Sequence, residues 1–190
     1  MLRVWRHEKG AVLSLSEDES ATNVDLAQFR NLAREVASSR GGGLLEAERM
    51  MGRSGDAWVM TYKVLLRPAY RFTGMVFVEY SGHPFIWTVV DGEGGDTGTR
   101  EAIITSELME AGELTPSKYE AAWHDPYEPG FDGVDHACLR FISDDARYDK
   151  RFPEHPLSRV REIQHWLLSA PNAEAIAREA VGGSAESRGR

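Results

Sequence analysis

Between residues 56 and 90 apolar and polar positions alternate with a period of two, the repeat that sends successive side chains to opposite faces of a strand. In residues 56–67, Trp58, Met60, Tyr62, Val64 and Leu66 share one face, while Ala57, Val59, Thr61, Lys63 and Leu65 share the other. Pro68 ends that run because proline cannot donate to a ladder. Phe72, Gly74, Val76 and Val78 mark the next strand, and Gly82-His83 turns the chain into another carrying Phe85, Trp87 and Val89. Upstream, residues 44–53 alternate acidic and apolar side chains and predict a strand solvated on one side. Leu45, Ala47, Arg49 and Met51 fall on one of its faces, and Leu44, Glu46, Glu48 and Met50 on the other. Residues 11–16 predict a short first strand and residues 136–143 a last one. The short connections make neighbouring strands antiparallel.

Helical spacing appears in three places. Leu26, Phe29, Leu32, Ala33, Val36 and Ala37 follow a capping-box pattern, Thr22 to Asp25, and stop at Gly41-Gly42-Gly43. Ile103, Ile104, Leu108 and Ala111 form a stripe able to cover a sheet, closed by Gly112. Pro156 occupies a first-turn position ahead of Leu157, Val160, Ile163, Gln164, Leu167 and Leu168. Past Pro171, residues 173–180 add a turn or two of helix, and residues 182–190 read as a flexible tail. Residues 115–135, rich in Pro, Gly and aromatics without a period, read as a functional segment or a packed meandering loop. The pattern predicts one α+β domain over residues 1–170, with a short helical turn and tail over 171–190. Its centre is an antiparallel sheet of about five to seven strands with helices packed on both faces, an α/β/α sandwich.

A chain of 190 residues buries roughly 70% of its extended surface and needs no staples. No apolar run approaches the ~20 residues of a membrane span. The first ten residues carry five charged or histidine side chains and no apolar core, so no secretory signal is expected. A single thiol, Cys138, suits a reducing compartment, and the cytoplasm is the expected location. The net charge of −8 is uneven: residues 91–135 hold twelve acidic side chains against Arg100 and Lys118. That excess repels phosphates and argues against nucleic acid on this side. It leaves either a solvated face or a dock for a basic partner.

The loop Gly92-Glu-Gly-Gly-Asp-Thr-Gly98 precedes a helix but has neither dinucleotide nor Walker spacing, and its carboxylates repel anions. It reads as a tight connection; calcium could use its carboxylates, but their spacing is not that of an EF-hand loop. Arg100 in a first helical turn opposes the helix dipole, which favours its neighbour Glu101. Such an arginine is held either by a carboxylate, with residues 144–154 the natural source, or by a ligand. Residues 147–161 gather Arg147, Lys150, Arg151, Arg159 and Arg161 near a helix start, as an anion site or as arginines paired with Asp144, Asp145 and Asp149. The six histidines lack metalloprotease spacing, and His136 with Cys138 on one strand face, near His124, is the metal set the sequence offers. No Gly-x-Ser-x-Gly elbow exists, and Cys138 reads as a buried structural thiol.

Two strings carry a family resemblance. Thr97-Gly98-Thr99-Arg100-Glu101-Ala102 and Tyr148-Asp-Lys-Arg-Phe-Pro-Glu-His-Pro-Leu-Ser-Arg-Val-Arg161, with the strand around Phe72-Thr-Gly74, resemble a family of uncharacterised bacterial cytoplasmic proteins across residues 10–168. The resemblance implies no activity. The order of elements is also similar to that of the Mog/PsbP superfamily, which implies an α/β/α sandwich whose members mostly bind and assemble rather than catalyse. No functional position of that superfamily maps onto a residue here.

The leading reading is a non-catalytic protein-binding, adaptor or immunity-type factor, with another protein as partner and no cofactor, metal, nucleic acid or membrane. The alternative is a small-molecule-binding protein or enzyme. It would use Asp96, Thr97, Arg100 and Glu101 from the loop and helix start, with Tyr148, Arg151, His155 and Arg159 from the basic segment, and it requires these to converge on one concave pocket.

Overall fold

A computed structural model describes residues 2–6, 10–17, 24–80, 82–94 and 97–185. Six strands, β1 (Leu2–Arg6), β2 (Val12–Glu17), β3 (Gly42–Gly52), β4 (Gly55–Leu66), β5 (Ala69–Tyr80) and β6 (His83–Gly92), form one sheet in the order β1-β2-β6-β5-β4-β3. Every neighbouring pair is antiparallel. The meander from β3 to β6 is the one the alternation predicts. β1 is not: it adds an edge strand whose Trp5 ring lies 5.8 Å from that of Trp87. Its own charges, the half-buried Arg3 and the exposed Arg6, sit on an edge strand, where water reaches them, so they do not exclude a strand.

The chain passes from β2 to the opposite edge of the sheet through helix α1 (Leu26–Ser39), which covers one face. Phe29, Ala33 and Ala37 pack there on Met60, Tyr62 and Val64. Asp25 caps this helix, accepting from the Gln28 N–H while the Gln28 side chain accepts from the Asp25 N–H. The box therefore starts three residues later than expected, and Thr22 lies outside the described residues. Helices α4 (Pro156–Ser169) and α5 (Ala173–Ala185) cover the other face, packing Leu157, Val160, Leu167, Ala173 and Ala177 on Val59, Phe72, Val76, Trp87 and Val89. α5 exceeds the expected turn or two because Ala173 and Ala177 are buried in this core. Residues 186–190 of the expected tail lie outside the described residues.

Gly74 lets α4 approach the sheet: a Cβ there would sit 2.6 Å from the Gln164 amide and from Val160. Gln164 then donates to the Met60 carbonyl at 3.0 Å, which satisfies a buried amide on the sheet surface.

The structure alters three local expectations. A β-bulge between Leu44 and Glu46 resets the alternation in β3, so Leu44 and Ala47 face α1 while Leu45 faces α4 and α5. Helix α2 (Thr99–Glu110) does not cross the sheet. Ile104 and Leu108 pack with Leu114 and Phe141 in a satellite core beside a 3-10 turn at Ile142–Asp144. Residues 136–143 form no sheet strand either: a 3-10 turn, His136–Cys138, is followed by a single bridge from Arg140 to His124. Leu139, Phe141 and Ser143 are buried in alternation with the half-buried Arg140 and Ile142, which accounts for the strand-like pattern, but the segment pairs only through that one bridge. Helix α3 (Pro116–Tyr119) is the one regular α-turn within 115–135 among the described residues. No described helix is long and apolar enough to cross a membrane.

Candidate functional site

The segment from Phe141 to Asp149 has little regular structure and is fixed by three buried cations from three elements. From β4, Lys63 Nζ donates to Asp144 Oδ2 at 2.7 Å, both side chains buried, with the ammonium about equally far from the Tyr70 and Trp123 rings, at 5.1 and 5.0 Å. Burial pushes the Asp144 carboxyl up, but the Lys63 charge and hydrogen bond and the Phe141 N–H outweigh it and leave the pKa below the usual value. From α2, Arg100 donates through Nε to the Ser143 carbonyl, through Nη1 to Asp149 and Ser158, and through Nη2 to the Asp145 carbonyl, all within 3.0 Å. From α4, Arg161 grips the Glu46 carboxylate with two nitrogens and reaches Asp149 and the Asp144 carbonyl. Arg100 thus takes the carboxylate the sequence offered from residues 144–154, and its donors are committed to the fold.

The β6–α2 loop, the first turn of α2 and the turn into α4 line an open concavity of about 560 Å³. Glu93 and Gly94 line one side, Thr99 and Arg100 another, and Arg151, Phe152, His155 and Arg159 the remainder. The lining cations already have partners. Arg159 Nε donates to Asp91 Oδ2 at 2.6 Å, with a second bond to the Glu154 carbonyl. Arg151 makes a two-pronged pair with Glu107. That pair is about half exposed on both sides, where water competes for each group, so Arg151 is the lining cation most readily exchanged onto a ligand.

Glu93 and His155 line the cavity, and Glu101 clusters with them beside it. Glu93 fastens the loop, accepting from the Tyr70 N–H at 2.9 Å and the Gly98 N–H at 3.1 Å. Burial raises its carboxyl, but His155 and the two N–H groups more than offset this, and its pKa is lowered. Glu101 has the opposite fate: burial, then the nearby Asp144 charge, push it up. His155 caps α4, its Nδ1 accepting from the Leu157 N–H at 3.2 Å, with Pro156 supplying the first helical residue. Its Nε2 lies 3.6 Å from Glu93 Oε1, beyond hydrogen-bond range. Both His155 Nε2 and Glu101 Oε2 are buried without a hydrogen-bond partner.

Four residues proposed from sequence, Arg100, Arg151, His155 and Arg159, therefore line one cavity; Glu101 does not line it but clusters with His155 and Glu93 beside it. Thr97 does not: its hydroxyl turns to the Pro68 carbonyl. Tyr148 packs into the satellite core, and its hydroxyl accepts from Arg147. Asp96 lies outside the described residues. The basic string does not act as one anion site, since Arg147 stacks on Tyr148 and Arg161 is buried among carboxylates. Nor do His124, His136 and Cys138 gather: His136 approaches Glu120, and Cys138 is buried with its thiol pKa raised chiefly by burial. Glu93 and Phe152 were missed. Glu93 sits in a loop whose acidity reads as mere repulsion, and nothing in the sequence shows that it faces His155.

No family model matches the chain, and no curated protein matches it in sequence. Among solved structures it is similar to PA94 from Pseudomonas aeruginosa, a protein of unknown function described as a putative regulator. The identity is 16% and the TM-score 0.39, over 61% of this chain and 83% of that one. It is also similar to LpqN of Mycobacterium tuberculosis, involved in cell envelope biogenesis, at 17% identity and TM-score 0.28, over 55% of this chain and 57% of that one.

Proposed function

We propose that the chain is a small-molecule-binding protein whose site is the cavity between the β6–α2 loop and the turn into α4. The observation that supports this reading is the convergence of Arg151, His155, Arg159 and Glu93 on one concavity, His155 bringing a buried, unpartnered Nε2. Arg151 supplies an exchangeable handle for an anionic group, and Phe152 with Pro153 and Pro156 supplies an apolar wall.

The test is a thermal-shift screen of small carboxylates and phosphates, followed by calorimetry on hits. Gly94→Trp fills the mouth, since a Cβ at Gly94 meets nothing within 4 Å and the fold is left intact. The reading expects a hit whose affinity falls at least tenfold in both Gly94→Trp and Arg151→Ala. Hits indifferent to both substitutions would sink it.

The adaptor reading keeps one specific support: Ile103 and Met109 on α2 and Trp166 on α4 are exposed. A stoichiometric partner recovered by pull-down and lost in Trp166→Ser would favour it.

A further inference from the structure

We infer that Glu93, Glu101 and His155 form a binding site for one divalent transition-metal ion, of the Zn²⁺ or Mn²⁺ class, at the cavity wall that Glu93 and His155 line. This deepens the small-ligand reading and rests on it only for the cavity's role: the ion would give a ligand a second point of attachment beside Arg151. One ligand-capable atom from each side chain lies within 4.8 Å of the other two, and His155 Nε2 is 3.6 Å from Glu93 Oε1. Donors held about 2.1 Å from a common ion are roughly 3–4 Å from one another, so a small inward movement completes the set. Carboxylate and imidazole together suit zinc and manganese better than calcium or magnesium, which favour all-oxygen shells.

Two observations besides the cluster itself point to an occupant. The His155 side chain is nine-tenths buried, at 10% exposure, and its Nε2 is directed at the carboxylates without a hydrogen-bond partner. Glu101 Oε2 is likewise buried and unpartnered. The surrounding cations are, moreover, engaged elsewhere: Lys63 by Asp144, Arg100 by Asp149, Arg159 by Asp91 and Arg151 by Glu107. Two buried carboxylates therefore face each other across the His155 ring, with no arginine or lysine bonded to either among the described residues.

The histidine makes the inference specific. Because Nδ1 accepts from the Leu157 N–H, the ring proton sits on Nε2. An ion at Nε2 requires that proton to leave for solvent and Nδ1 to take one up. The cap bond to Leu157 is then exchanged for the metal–nitrogen bond. Metal loading is thus coupled to the first turn of α4, a signature that adventitious surface binding lacks.

The experiment uses the full chain stripped with EDTA and titrated with Zn²⁺ alone by calorimetry, with ¹H–¹⁵N spectra recorded in parallel. The expected result is one saturable equivalent together with a shifted Leu157 amide. Affinity should fall at least tenfold in Glu101→Gln, which keeps shape but removes charge, and in His155→Gln. His136→Ala, remote from the cluster, should bind as the parent does. Absence of saturable binding, binding unchanged in Glu101→Gln and His155→Gln, or an unmoved Leu157 amide would each overturn the inference. Ligand binding that persists in EDTA and is lost in Gly94→Trp would separate the two readings, retaining the cavity and removing the ion.

Discussion

Replacing Lys63 by methionine keeps most of the side-chain volume but strands Asp144, a carboxylate with no exposed surface. Removing one member of a buried pair typically costs about 3–5 kcal/mol, because the remaining charge loses its partner without regaining water. Here Asp144 retains the Phe141 N–H on Oδ2, and Arg161 stays close, donating to its carbonyl at 2.8 Å. These partners place Lys63→Met toward the low end, about 2–4 kcal/mol, a large share of the ~5–15 kcal/mol of a typical domain. The sign of the pH dependence gives a sharper test. In the parent the Asp144 pKa is below its unfolded value, so its contribution is present above the ordinary carboxylate range and is lost as pH falls through the folded value. In Lys63→Met burial is left without its main opponent and the pKa rises; the destabilisation is then smallest at low pH and grows as pH rises through the unfolded value. Urea unfolding of both proteins between pH 4 and 7 should show a gap that narrows on acidification, with Lys63→Met/Asp144→Asn regaining about half the loss or more. A single-mutant cost under about 1 kcal/mol, or a gap independent of pH, would refute the view that this pair fixes the segment.

Gly43→Ala should destabilise by about 1–3 kcal/mol, since its Cβ would meet the Cys138 carbonyl oxygen at 2.0 Å and the backbone of one segment must move; denaturant midpoints check this. Asp25→Ala removes the α1 cap and should cost about 1 kcal/mol in the same assay, with Asp25→Ser restoring most of it. Glu46 is held below the usual carboxylate range because the Arg161 charge and hydrogen bonds, with Thr61, outweigh burial, so its contribution is present at neutral pH and disappears on acidification. Glu46→Gln should accordingly flatten the acid limb of the stability profile, measured by thermal melts from pH 3 to 7.

The sheet was legible because β4, β5 and β6 are each ten residues or longer and keep strict alternation, with one face on α1 and the other on α4. Where a single residue breaks the period, as at the bulge near Leu45, the side chains beyond it change faces, and no local signal separates that from an unbroken strand. α2 was legible as a helix but not as to its target. An apolar stripe says that something covers Ile104 and Leu108, and here it is the aromatic loop of Tyr119, Trp123 and Phe141 rather than the sheet. Arg100 was legible for a physical reason, since a cation in a first helical turn needs a carboxylate, and Asp149 provides it. Glu93 was not, because its role depends on a long-range approach to Tyr70 and His155 that neither spacing nor composition encodes.

The same long-range pairing changes what the acidic stretch means. Twelve acidic residues against two basic ones over residues 91–135 read as a negative face open to a basic partner. In the folded chain Asp91 is taken by Arg159, Glu107 by Arg151 and Asp125, almost wholly buried, by Arg34, and each of these cations lies outside the stretch. Part of the charge segregated along the chain is thus recombined in space, while Glu110, Glu113, Glu120 and Asp132 stay exposed on the surface. Glu93 and Glu101 are the members of that stretch that are both substantially buried and not bonded to an arginine or lysine among the described residues. The fold neutralises the other buried carboxylates of this stretch with arginine and sets these two against His155 instead, which is why the proposed ion is placed there.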